Sequence, residues 1–149
     1  MSNQGPTYAV GDALPEWVME SVSAERMRTM AAILRDPNPL HWDREAVSQL
    51  LSGSATLPAE LGKRTINQGP LGLSYIINML HDWMGHDCIK RFYITFPKVV
   101  LDEDRVIARG TITALREENG EQLADCDIWL EHEERGPLLE GHATIRLRD

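Results

Sequence analysis

Residues 69–85 read GPLGLSYIINMLHDWMG, and this stretch limits the fold more than any other part of the chain. Leu73, Ile76, Ile77, Leu80 and Met84 recur at three- and four-residue intervals, the period of a helix. Pro70 suits the first turn, where its missing N–H is no loss, and Gly85 supplies the stop. Apolar side chains nearly surround this helix, with small Gly72 and Ser74 between them, so the pattern predicts a buried helix rather than a surface one. A helix of that kind needs another layer to enclose it.

The last third of the chain offers such a layer. IKRFYITFPKVV, RVIARGTITALRE, EQLADCDIWLEHE and LLEGHATIRLRD each alternate apolar and polar residues, and LDED, ENGE and ERGP separate them as turn signals. Four consecutive strands with tight connections predict an antiparallel meander. The fold class is α+β, with the long helix lying against a curved antiparallel sheet.

The first third is more broken. TYAVGDALPEWVMESVS reads as a short strand, a Gly-Asp turn and a second extended segment. Ser23 caps a helix over AERMRTMAAIL, in which Met27, Met30, Ala31 and Leu34 share a face. Asp36 precedes Pro37, and a residue before proline is pushed out of the helical region, so this helix ends near Arg35. Asn38 also precedes a proline. Asp43 caps a short helix, REAVSQLL, and SGSATLPAELGKR reads as a loop.

A chain of 149 residues suits one domain, residues 1–149, with a core that needs neither disulfides nor metal. Its net charge of -8 argues against a general affinity for nucleic acid or an anionic membrane. A local basic cluster can still receive a small anion. Cys88 and Cys126 are too few for a disulfide framework, and no apolar run approaches membrane-spanning length. The opening, MSNQGPTYAVGD, is polar rather than a charged-then-apolar leader, and the expected compartment is the reduced cytoplasm.

Two short stretches carry candidate chemistry. In DPNPLHWD, residues 36–43, an acid and an imidazole stand five apart on a segment that prolines make too stiff for a helix. Such a pair can share a water molecule, and histidine as a residue type exchanges protons near neutrality. Asn38 can tie the loop to its own backbone. In NQGPLG the helix start presents backbone N–H groups and partial positive charge, suited to a carbonyl oxygen gaining negative character. Pro70 has no N–H, so the donor is Gly69, Leu71 or a neighbour. Taken separately, each stretch has a plainer reading, as a turn and as a helix cap.

Together they resemble the MaoC-like hydratase/dehydratase family, the (R)-specific enoyl-CoA hydratases with the hotdog fold. RDPNPLHWD is similar to the family signature at Asp36, Asn38, Pro39, Leu40, His41 and Asp43; YAVGDALPEW resembles its opening strand and turn, and INQGPLGLSYII its central helix. The resemblance implies a single hotdog domain, a long central helix wrapped by the sheet. It also implies hydration of a trans-2-enoyl thioester to the (R)-3-hydroxyacyl thioester, or the reverse dehydration. Asp36 and His41 would be the acid/base pair and Gly69 the oxyanion donor. Asn38, Trp42, Leu71, Ser74 and Asn78 are the candidate substrate-binding residues, with no metal and no organic cofactor. The implied partners are an acyl-CoA or acyl-carrier-protein thioester and a second hotdog subunit, identical or different.

Two departures stand out. Arg35 occupies the usual Gly position, where it favours ionised Asp36 if it points inward, or faces solvent or a CoA phosphate if it points outward. The family's usual Gly-Asp turn is here LDED. Within enzymes the rival reading is a hotdog thioesterase, whose pattern lacks the DPNPLH pair; outside them it is a non-catalytic acyl-thioester-binding subunit.

The other conspicuous residues have structural readings. HDWMGHDC matches no standard zinc spacing, and His81 and His86 suit a helix C-terminus. His132 and His142 are expected to be exposed, and Trp17, Trp83 and Trp129 to pack. Trp42 is placed to wall an acyl pocket. Lys63, Arg64, Lys90 and Arg91 are the candidate contacts for CoA phosphates.

Overall fold

A computed structural model describes residues 7–52 and 64–148. Five strands, β1 (Trp17–Met19), β2 (Ile89–Thr95), β3 (Val106–Glu118), β4 (Glu121–His132) and β5 (Gly136–Arg146), form one antiparallel sheet in the order β1-β3-β4-β5-β2. Three helices, α1 (Ala24–Leu34), α2 (Arg44–Ser52) and α3 (Gly69–Met84), and a 3₁₀ turn, Pro39–His41, complete the described fold. This is the helix-in-sheet arrangement that the hotdog resemblance implies.

Local chemistry sets the helix boundaries. The Ser23 hydroxyl accepts from Arg26 N–H at the start of α1, and the Asp43 carboxylate accepts from Glu45 and Ala46 N–H at the start of α2. Helix α1 stops at Leu34 because Arg35 turns left-handed, with φ 51° and ψ 41°. Gly85 ends α3 with φ 84°.

Helix α3 buries Tyr75, Ile76, Met79, Leu80 and Met84 against the sheet. Full burial of each such side chain contributes ~1.5–3 kcal/mol, which outweighs the ~1 kcal/mol helix penalty of an interior glycine. Gly72 has a packing reason to be there, since a Cβ would stand 3.2 Å from Leu139 Cδ2. Ile112, Cys126, Ile128, Leu130 and Ile145 come up from the strands to meet the helix. Leu73 and Ile77, expected in the core, are only half-buried, because the sheet covers one side of α3 and leaves the other side partly open.

Three expectations are corrected. Residues 7–10 form no strand; the Gly11 turn is present, and pairing begins with the Ala13–Thr111 bridge. Strands β3, β4 and β5 form a meander, but β2 pairs with β5 at the edge instead of with β3. LDED is therefore part of a crossover, residues 96–105, and not a tight turn. The loop reading of residues 52–64 falls mostly on residues 53–63, outside the described residues.

Candidate active site

Asp36 and His41 are brought together by hydrogen bonds within their own loop. Asn38 N–H donates to Asp36 Oδ1 at 3.0 Å, and Leu40 N–H donates to Asn38 Oδ1 at 3.1 Å. These side-chain-to-backbone links are the turn chemistry of Asp and Asn, while the prolines hold φ at two positions. The Asn38 side-chain oxygen thus braces the loop. Asp36 Oδ2 lies 3.4 Å from His41 Nε2, and both side chains are largely shielded from solvent.

The other nitrogen of His41 defines what this one can do. His41 Nδ1 lies 2.6 Å from the Ile66 carbonyl oxygen, which can only accept, so Nδ1 carries a proton. A neutral ring then presents an Nε2 lone pair toward Asp36, in position to take a proton. Ile66 holds the loop from both sides, since its N–H donates to the Leu40 carbonyl at 2.8 Å. Three residues further along the chain, α3 begins.

At that start, the Leu71 and Gly72 N–H groups both donate to the Gln68 carbonyl, and Pro70 has none to give. Gly69 N–H has no acceptor among the described residues. Leu71 is thereby excluded as the free donor. Gly69, Ile66, Asn67, Phe96, Val100 and Leu139 are among the residues around a pocket of about 250 Å³. Asn67 is 6% exposed, and neither atom of its amide completes a hydrogen bond with any described group. It lies near enough to the Tyr75 hydroxyl to offset part of the upward shift that burial imposes on that phenol, but not in hydrogen-bonding geometry.

The remaining candidates divide. Leu71, Ser74 and Asn78 line the half-buried side of α3, and the Ser74 hydroxyl is spent on the Leu71 carbonyl at 2.6 Å. Trp42 is 40% exposed and borders a cleft that Asp36 also lines. Arg64 is bound to Asp102 and Asp104, and Lys90 is paired with Glu121, so neither is free for a phosphate. Lys63 lies outside the described residues. His132 is half-buried 3.7 Å from Asp104, contrary to expectation, because the crossover carries that carboxylate inward. His81 and His86 face each other with their Nδ1 atoms 3.4 Å apart, and no third ligand joins them among the described residues. Cys88 and Cys126 are free and buried, and burial pushes the Cys126 thiol up to about 12.

Sequence reasoning missed the residues that hold the site in place. Buried Asp102 accepts from Thr65 Oγ1 at 2.8 Å and from Arg44 Nε at 2.9 Å, and its N–H donates to the Thr65 carbonyl. Buried Asp104 accepts from Arg64 and Arg135. The crossover is thus pinned to the segment that carries Ile66. The available signal was a run of acids in LDED among apolar residues, which as a turn would be solvated.

No protein-family profile matches the chain, and no curated protein matches it in sequence. Its backbone does match solved structures. The (R)-hydratase from A. caviae involved in PHA biosynthesis superimposes with a TM-score of 0.76 at 23% identity, over 97% of this chain and 100% of that one. The ChsH1-ChsH2 complex from Mycobacterium tuberculosis gives 0.72 at 19% identity, over 95% and 100%. A MaoC-like dehydratase from Rhodospirillum rubrum gives 0.71 at 17%, over 94% and 92%. The chain has the hotdog fold of the (R)-hydratases and MaoC-like dehydratases.

Proposed function

We propose that this protein is a hydro-lyase of the MaoC-like type, adding water to a trans-2-enoyl thioester to give the (R)-3-hydroxyacyl thioester, or running the reverse dehydration. The observation that carries the reading is the Asp36–His41 pair, with Nδ1 of the imidazole committed to Ile66 and Nε2 facing a carboxylate oxygen at 3.4 Å. Two acceptors side by side favour a shared proton donor, and the reacting water is that donor. His41 Nε2 takes one proton as the water oxygen bonds to the β-carbon. The electron pair of the double bond moves toward the thioester carbonyl, whose oxygen is held by Gly69 N–H. The pair returns a proton to the α-carbon on the same face, so addition is syn. Dehydration reverses each step.

The chain acts as one hotdog domain in a reduced, cytoplasmic setting, with both cysteines free. The half-buried apolar residues Leu73 and Ile77 and the edge strand β2 favour assembly with a second hotdog subunit. A second copy is the first choice. The ChsH1-ChsH2 likeness supports a different subunit as the alternative, in which case this chain alone is inactive.

The test is loss of ultraviolet enoyl-thioester absorbance across a panel of enoyl-CoAs. Asp36→Asn and His41→Ala should each fold and lose about 10²–10⁴-fold in kcat, the contribution of a positioned acid/base group. Retention of most turnover by either variant overturns the assignment. Release of free thiol in place of hydration points to a thioesterase.

A further inference from the structure

Helix α1 carries a cationic feature that the acid/base chemistry does not use. Arg28 and Arg35 have no salt bridge and no side-chain hydrogen bond among the described residues. Apart from Arg26 and Arg91, every other described arginine is ion-paired. In a chain of net charge -8, two such guanidinium groups on one helix face are conspicuous. They line the same cleft, of about 550 Å³, whose floor is Ala31, Ala32 and Pro37 and whose end is formed by Asp36 and Trp42.

Arg35 also stands in an unfavourable place. Its φ of 51° is a left-handed conformation that a glycine adopts freely and an arginine does not. Strain of this sort persists where the side chain has a use.

The spacing of the pair indicates the shape of the ligand. Arg28 and Arg35 are seven residues apart, two helical turns or ~11 Å along the axis. They therefore lie along a line leading away from Asp36, instead of surrounding one point. A ligand that meets both is extended and narrow, with its negative charge remote from the reacting carbons. Small alanines on the floor leave room for an unbranched chain.

We propose that this cleft receives the phosphopantetheine arm of the substrate, with its phosphate held by Arg28 and Arg35. The inference rests on the thioester reading above and adds to it the side from which the carrier enters. The apolar pocket at Gly69 and Phe96 is left for the acyl group.

The experiment compares Arg28→Ala and Arg35→Gly with the unaltered protein on three thioesters of one enoyl group: the CoA ester, the pantetheine ester without phosphate, and a carrier-protein ester. Both variants should raise KM for the CoA ester about tenfold, the scale of a charge-assisted contact, and KM for the pantetheine ester less than about twofold. Equal KM changes on both, or none on the CoA ester, overturn the proposal. A matching rise on the carrier-protein ester assigns the arm's own phosphate, and a rise with CoA alone assigns the nucleotide end. Arg35→Gly relieves the left-handed strain and should raise Tm, so lost affinity in that variant is not misfolding. Calorimetry with free CoA reads the cleft separately from turnover: binding that weakens in both variants supports it even if no enoyl thioester is hydrated. Unchanged CoA binding overturns it.

Discussion

Gly69 does two jobs that pull in the same direction. As the first residue of α3 it leaves an N–H without an acceptor, and as a glycine it keeps that N–H approachable. A Cβ at this position would sit 3.4 Å from Phe96 Cε1, ordinary van der Waals contact, so the fold can accept one. A thioester carbonyl arriving at the same N–H meets a methyl group instead of open space. Gly69→Ala should therefore melt close to the unaltered protein while kcat/KM falls about 10²-fold, the loss expected from a displacement of roughly 1 Å. Thermal denaturation and enoyl-CoA turnover measured on one preparation test both halves, and full activity in the variant would remove Gly69 from the chemistry. The stretches at 36–43 and 67–72 were legible in the sequence because their geometry is local: prolines, an Asx turn and a Gly-Pro helix start depend on few neighbours. The tautomer of His41 was not legible, since it depends on the Ile66 carbonyl, 25 positions away.

At the scale of elements, the same contrast between local and distant determinants recurs. Ser23, Asp43 and Gly85 mark helix ends by bonds and turns within a few residues, and the helices fall where those residues place them. Strand partners are chosen by pairing across the chain, and alternation within β2 says nothing of whether its neighbour is β3 or β5. One residue did hold the information. Gly141 in β5 lies opposite Ile94, and a Cβ there would come within 1.9 Å of the Tyr93 carbonyl oxygen. Such a contact is with backbone and cannot be relieved by rotating a side chain, so the close approach of β2 to β5 requires glycine. Gly141→Ala should cost about 3 kcal/mol, the upper range for overpacking a tight site, by separating β2 from the sheet. Urea denaturation gives the stability. Hydrogen exchange should show the loss first in Ile89–Thr95, and protection unchanged there would mean that the strands tolerate the methyl.

On the scale of the whole molecule, the crossover between β2 and β3 joins parts that regular structure leaves separate. Asp102 binds Arg44 of α2 and Thr65 ahead of α3, while Asp104 binds Arg135 beside the β4–β5 turn. The 65–67 segment is thereby fixed from below, and Ile66 in turn fixes the imidazole of His41. Removing the Asp102 carboxylate leaves Arg44 and Arg64 without it, but both reach solvent and can rehydrate in part. Asp102→Ala should thus cost roughly 3 kcal/mol, the lower end for breaking a buried pair. It should also lower kcat more than it raises KM, because the base is misplaced while the acyl pocket remains. Asp102→Asn separates the two effects: its amide oxygen can still accept from Thr65 Oγ1, whereas its charge is gone. At temperatures where both variants are fully folded, the Asn form should keep most of kcat and the Ala form should not. Equal kcat in the two would mean that the crossover stabilises the fold without aligning His41.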